Sequence, residues 1–201
     1  MKIVKSSVFT AEHDLQEAIT STEDFTFGYL IADQIAIWDP VWLNPDRTIP
    51  PRVKYDKRVA EALDAPIIRV PIDGGPIICN RGDICIFIVS KDRYSQWEVA
   101  VRDDLVKYLK LRYKLDTEIV GNDVLLGGKK FACTAIGYST ANKYMAMFIS
   151  MNAYTTPLIN LICADDSRHK GFVGLTEYKV CPRRLMTRIL RFTRKWEARG
   201  L

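Results

Sequence analysis

A hairpin signal lies at the centre of the stretch Asn122-Asp123-Val124-Leu125-Leu126-Gly127-Gly128-Lys129-Lys130-Phe131-Ala132-Cys133-Thr134-Ala135. It constrains the fold more than any other segment. Gly-Gly between two strand-like runs lets both central residues take positive φ without steric cost, so the chain turns back on itself. Strict alternation along the returning strand sends Phe131, Cys133 and Ala135 to one face and Lys130, Ala132 and Thr134 to the other. A long cation flanked on its own face only by small side chains leaves room for a second body against the strand, and that body would carry an anionic group. An exposed hairpin with two solvated lysines accounts for the same residues, and taken alone they favour it.

The rest of the chain alternates helix and strand patterns without a linker, a low-complexity break or an internal repeat. Leu15, Ala18 and Ile19 at helical spacing predict a helix over 11–20, and the apolar, aromatic and β-branched run from Phe25 to Trp38 predicts one or two strands. Prolines 40, 45, 50 and 51 exclude regular structure from 39 to 51, because each removes a donor and fixes φ. A helix over 54–64 and a strand over 66–70 follow. After Gly74-Gly75, residues 76–79 and 83–90 read as adjacent strands, and the run Ile84-Cys85-Ile86-Phe87-Ile88-Val89 is apolar enough to be buried on both faces. The spacing predicts helices over 96–113 and 157–163 and a strand over 144–151. The last segment, Pro182 to Arg199, places Leu185, Ile189, Phe192 and Trp196 on one helical stripe and crowds arginines on the other. This is an α+β chain, with a mixed, mainly antiparallel sheet packed with helices.

Composition narrows the class. The 201 residues, 48% of them hydrophobic, suffice for one well-cored domain, and no run approaches the ~20 apolar residues that span a bilayer. The N-terminus has no apolar signal core, and the five cysteines are odd in number, as expected of reduced thiols in a cytoplasmic protein. The two histidines, His13 and His169, have no ligand-spaced partners, which argues against structural zinc. Net charge is +5, concentrated in the terminal helix. That helix reads as a solvated face or as a surface for an acidic partner; it lacks the aromatic interleaving of nucleic-acid binders.

Three segments, in this order, resemble the lipoate–protein ligase A branch of the biotin/lipoate protein ligase family. Ile67-Ile68-Arg69-Val70-Pro71-Ile72-Asp73-Gly74-Gly75-Pro76-Ile77-Ile78 is similar to the family's loop written RRxSGGGAV. Asn122-Asp123 with Gly128-Lys129-Lys130-Phe131-Ala132 resembles its ND…GxKIxG segment, whose lysine is the signature catalytic residue. Lys170-Gly171-Phe172-Val173-Gly174-Leu175-Thr176 resembles the KGI(T/V)S stretch that closes the catalytic domain. The resemblance covers roughly residues 25 to 185.

It implies a single biotin/lipoate ligase-like catalytic domain over 1–201, ending in the basic helix at about 182–199, with no separate C-terminal accessory domain. It implies an ATP-dependent ligase that activates lipoic acid, or a similar medium-chain acid, as an acyl-adenylate and transfers it to a lysine of an acceptor. Lys130 would neutralise carboxylate and phosphate charge together during attack. Arg69, Gly74, Gly75, Pro76 and Ile77 would wall the ligand. Asn122, Asp123, Ala132 and Lys170 would complete the site, with Asp123 holding Mg²⁺ through the adenylate. Expected partners are a lysine-bearing, acidic lipoyl-type acceptor domain and a separate accessory subunit, and neither membrane nor nucleic acid.

The chain also departs from the pattern. Val70 stands where the family has a second arginine, Asp73 replaces the first glycine of the triplet, Cys79-Asn80 stands for His-Asp, and Cys133 for the glycine of K-I-x-G. These departures keep open a catalytically reduced binding protein that holds a small acid or nucleotide. A biotin ligase is a further alternative, as is an octanoyl transferase, although that branch carries a nucleophilic cysteine where this chain has Lys170.

Overall fold

The computed structural model describes residues 1–40, 54–55, 57–71, 76–92, 96–153, 162–163 and 171–198. In chain order the elements are β1 (Lys2–Lys5), α1 (Ala11–Thr20), β2 (Phe25–Ile31), β3 (Ala36–Pro40), β4 (Lys54–Tyr55), α2 (Lys57–Ala62), β5 (Ile67–Val70), β6 (Ile77–Cys79), β7 (Ile84–Ser90) and α3 (Trp97–Tyr113). They continue with β8 (Thr117–Val120), β9 (Asp123–Leu126), β10 (Lys129–Tyr138), β11 (Lys143–Ile149), β12 (Ile162–Cys163), a 3₁₀ turn (Leu175–Tyr178) and α4 (Pro182–Ala198).

Seven strands form the main sheet in the order β1-β2-β7-β11-β10-β9-β8, antiparallel throughout except for the parallel β1–β2 pair. A three-stranded sheet, β5-β3-β6, pairs β3 parallel to β5 and antiparallel to β6, and β12 pairs with β4. The α+β class with a mixed, mainly antiparallel sheet is thus the observed one.

Strand β7 shows why the main sheet has two cores. All seven of its residues are buried. Ile84, Ile86 and Ile88 pack under α3 and α4 with Trp97, Leu105, Leu109, Leu185, Ile189 and Trp196. Cys85, Phe87 and Val89 pack on the opposite face with α1 and with Trp38, Ile68, Val70 and Cys79 of the small sheet. A continuous apolar run is the sequence form of a strand covered on both sides. Each helix buries a stripe at the expected spacing: Ala11, Leu15 and Ala18 from α1, and Leu185, Met186, Ile189, Phe192 and Trp196 from α4.

Several boundaries differ from the sequence expectation. The 54–64 segment opens as strand β4 before α2 begins at Lys57. Strands β6 and β7 follow one another but belong to different sheets, because β6 pairs with β3 and β7 with β2 and β11. Of the helix expected over 157–163, residues 157–161 lie outside the described residues, and Ile162–Cys163 is a strand paired with β4. Strand β8 adds an element that the sequence pattern does not announce. The proline-rich run from 41 to 51 lies outside the described residues, and Asp39 and Pro40 end β3. No described helix is long and apolar enough to cross a membrane.

Candidate functional site

The β9–β10 hairpin turns at Gly127 and Gly128, with φ of 58° and 77°. Both lie in the left-handed region, which favours glycine. Beyond the turn, Lys129 faces Leu126 and Lys130 faces Leu125, but Ala132 then faces Val124. The register slips by one residue at Phe131. Such a bulge puts two consecutive side chains on one side of a strand, and Phe131 and Ala132 both bury in the core under α3 and α4.

The slip corrects the strict alternation expected from sequence. Ala132 does not share the face of Lys130. Cys133 and Ala135 do: they belong to the core on the small-sheet side, and Cys133 stands opposite Asp123, whose carboxylate meets the Lys130 ammonium. The row of small residues beside the lysine is therefore Cys133, Ala135 and Gly137 rather than Ala132 and Thr134.

Lys130 Nζ lies 2.8 Å from Asp123 Oδ1, with the two side chains 19% and 12% exposed. A cation this shielded is held far more firmly than a surface lysine, because water screens it less. Its backbone is also fixed. The Lys130 N–H donates to the Gly171 carbonyl (2.9 Å) and its carbonyl accepts from Val173 (3.0 Å), so the lysine and the Gly171–Gly174 stretch pair directly. On the other side, the Asn122 carbonyl accepts from both the N–H and the hydroxyl of Thr134 (2.8 and 3.1 Å). The Asn122 side chain itself is exposed. Arg102, from α3, donates to the Gly121 carbonyl at 2.5 Å and braces the same turn.

The segment that leads into the glycine-rich loop reaches this strand. A Cβ on Gly137 of β10 would fall 2.6 Å from the Pro71 carbonyl oxygen and 2.1 Å from the Tyr144 ring. Only glycine permits that approach. On the far side of the loop, Pro76 and Ile77 are half-buried, and Ile77 packs against the small-sheet core. Gly74, Gly75 and Lys170 lie outside the described residues. Arg69 is exposed while Val70 is fully buried, and its N–H donates to Glu12 Oε2 of α1 at 3.0 Å. Val70 and Cys79, which stand where the resemblance implies an arginine and a histidine, are core residues here, 0% and 1% exposed.

A buried clasp ties the turn between β6 and β7 to the end of β11. The Asp83 carboxylate accepts from the N–H groups of Asn80 (2.8 Å), Met151 (2.7 Å) and Asn152 (3.4 Å). Burial pushes Asp83 up to about 6, against the pull of those three donors. Asn152 in turn donates to the Arg81 carbonyl and accepts from the Thr176 hydroxyl (2.6 and 3.1 Å). The β6–β7 turn, the β11 end and the 3₁₀ turn thereby form one unit.

Gly137, Asp83 and Arg102 shape the surroundings of Lys130 and the loop, and sequence reasoning misses them. A lone glycine inside a strand pattern is the available signal for the first. An Asp just before a strand, or an Arg on a helix, looks like any solvated charge, so the other two give none.

The buried thiols are inert in this arrangement. Burial pushes Cys79 and Cys85 well up and Cys133 up, although Lys130 pulls Cys133 back down. Among the described residues, the one group of three or more metal-ligating side chains, His13, Asp14 and Glu17, lies on α1. Asp123 alone fits Mg²⁺ only as magnesium usually binds nucleotides, with most of its ligands from phosphate and water.

No protein-family pattern and no curated protein sequence matches the chain. Solved structures do match. The bipartite lipoate protein ligase and its E2 lipoyl domain from Thermoplasma acidophilum superposes with a TM-score of 0.74 at 11% identity, over 98% of this chain and 83% of the other. A lipoate-protein ligase A bound with ATP gives 0.74 at 12% identity, over 98% and 85%. A point mutant of the biotin protein ligase from Aquifex aeolicus, in complex with biotin, gives 0.55 at 11%, over 98% and 70%. The chain has the fold of the biotin/lipoate ligase catalytic domain, and it superposes better on these lipoate ligases than on the biotin ligase.

Proposed function

We propose that the chain is a lipoate ligase-type enzyme whose Lys130 serves the adenylation of a medium-chain acid, lipoate first. The observation that carries this reading is the shielded Lys130–Asp123 pair at a strand bulge, stitched to the Gly171–Gly174 stretch. The acid's carboxylate oxygen attacks the α-phosphorus of ATP and pyrophosphate leaves. The ε-amine of the acceptor lysine then attacks the acyl carbon, AMP leaves, and the amine proton is lost to water. Lys130 donates to carboxylate and phosphoryl oxygens, where negative charges converge, and Asp123 holds the ammonium in place until they arrive. Magnesium, bound through the phosphates with Asp123 at hand, would add charge neutralisation.

The inert buried thiols support ligation over transfer through a thioester. Loss of two ionisable side chains to the core at Val70 and Cys79 supports the second reading, a binding protein that holds the acid or nucleotide without turnover. An acidic lipoyl-type domain is the proposed acceptor. Incubation with ATP and lipoic acid, octanoic acid or biotin, with mass detection of acyl-adenylate, separates the readings. Adenylate from lipoate or octanoate is expected. Tight binding of the acid without any adenylate would leave the binding protein.

A further inference from the structure

The face of the main sheet opposite Lys130 carries a groove of about 670 Å³ between α3 and α4. Six cations line it: Lys107, Arg112, Arg184, Arg188, Arg191 and Lys195. The acid in its wall, Asp104, is already engaged, accepting from Trp196 Nε1 at 2.9 Å and pairing with Lys195 at 3.4 Å. Arg188 lies over the rings of Tyr108 and Phe192, with its guanidinium carbon 5.5 and 4.8 Å from their centroids. Leu111, 65% exposed, opens on the same groove.

A solvated helix face spreads its charges with both signs interspersed. This one gathers cations of one sign from two helices around a concavity, with an apolar contact at its edge. The concentrated positive field attracts anions, and a concave wall with an exposed leucine rewards an apolar group as well. We propose that the groove docks an acidic segment of a partner protein, one with several carboxylates around an apolar anchor residue. Single-stranded nucleic acid fits less well, since it needs open aromatic faces for its bases. Here Arg188 covers both rings, and Phe192 is only 8% exposed. The groove lies across the sheet from the adenylation site, so either proposal can fail alone.

The test is fluorescence anisotropy on the full chain with a labelled peptide of glutamates around one leucine and one phenylalanine. Controls are the same peptide with serines at the two apolar positions and a single-stranded oligonucleotide of equal charge. The apolar-anchored peptide is expected to bind, and the serine peptide to bind several-fold more weakly. Arg184→Glu/Arg188→Glu/Arg191→Glu should weaken binding by about tenfold or more at low salt, and the loss should shrink as salt rises. Lys5→Glu/Lys57→Glu, which reverses exposed charge on other elements, should leave binding unchanged. Leu111→Asn should remove most of the advantage of the apolar peptide. Arg184→Gln/Arg191→Gln keeps the ring contacts of Arg188 and serves if the triple variant does not fold. The proposal is overturned if the peptide does not bind, if the two apolar residues make no difference, if the remote reversal costs as much, or if the oligonucleotide binds more tightly.

Discussion

Gly137 and Pro71 meet so closely that a Cβ on residue 137 would stand 2.6 Å from the Pro71 carbonyl oxygen. That contact is the structural link between the strand bearing Lys130 and the segment entering the glycine-rich loop. Gly137→Ala must push Pro71, the Tyr144 ring, or both. Overpacking of this kind costs about 1–3 kcal/mol. Gly28→Ala is the matched control, because a Cβ there would come within 1.9 Å of the Phe87 ring on the same sheet face but away from the loop. Both variants should lose stability in urea denaturation. Only Gly137→Ala should also weaken binding of the acid or ATP, on the order of tenfold, since small displacements of a positioning loop are amplified at the ligand. Equal binding losses would detach the loop from the site.

The Lys130–Asp123 pair makes a coupled prediction. Lys130→Met should abolish adenylate formation, a loss of about a hundredfold or more for a group that stabilises developing charge. It should also destabilise the fold by about 1–3 kcal/mol, because the Asp123 carboxylate, 12% exposed, loses its cation. Asp123→Asn placed on top of Lys130→Met should recover part of that stability, giving a coupling of about 1 kcal/mol or more in a double-mutant cycle. Exposed Lys129 should tolerate alanine in both assays. Full turnover in a folded Lys130→Met variant would remove the ligase mechanism.

Local pattern made much of this legible. The 11–20 helix follows from Leu15, Ala18 and Ile19, the two-sided burial of β7 from its unbroken apolar run, and the hairpin from Gly127-Gly128. Each signal sits within the element that it specifies. The bulge at Phe131 does not, since it depends on how β10 meets both β9 and the 171–173 stretch. The separation of β6 from β7 is likewise a choice of partner made by β3. Asp83 acts through three backbone N–H groups, two of them more than sixty residues away, and backbone groups leave no mark in a sequence. The short β8, Thr-Glu-Ile-Val, has too few alternations to read.

Asp83 predicts an unusual pH dependence. Its carboxyl is raised from 3.8 to about 6 by burial. The folded chain therefore keeps this proton up to about pH 6, while the unfolded chain releases it near its ordinary value. Between the two the folded state binds more protons, so this group's contribution is full below about pH 4 and is lost as pH rises through 6, by roughly 2–3 kcal/mol. Asp83→Asn should flatten that difference when urea denaturation is compared at about pH 4.5 and 7. It should also loosen the hold of the β6–β7 turn on the end of β11, because an amide presents one acceptor where the carboxylate uses both oxygens. Stability that rises more in the wild type than in Asp83→Asn over this range would show that the three N–H donors outweigh burial.

The cysteines divide into two reactivity classes. Cys181 is exposed at the start of α4, where hydrogen bonds from the backbone N–H groups of Arg184 and then Arg183, with their guanidinium charges, lower its thiol below the ordinary 9.0. Helix N-termini stabilise thiolates in this way. Cys79, Cys85 and Cys133 are buried and shifted upward. In a Cys163→Ser background, iodoacetamide at neutral pH should therefore modify Cys181 first, with peptide mass mapping finding the other three labelled only after unfolding. The pH midpoint of the Cys181 rate should lie below 9.0. Arg184→Glu should raise that midpoint only in part, because the backbone donors, the larger cause, remain. Early labelling of Cys133 would mean that the floor beside Lys130 opens to solvent, and it would reopen a thiol as the acyl carrier.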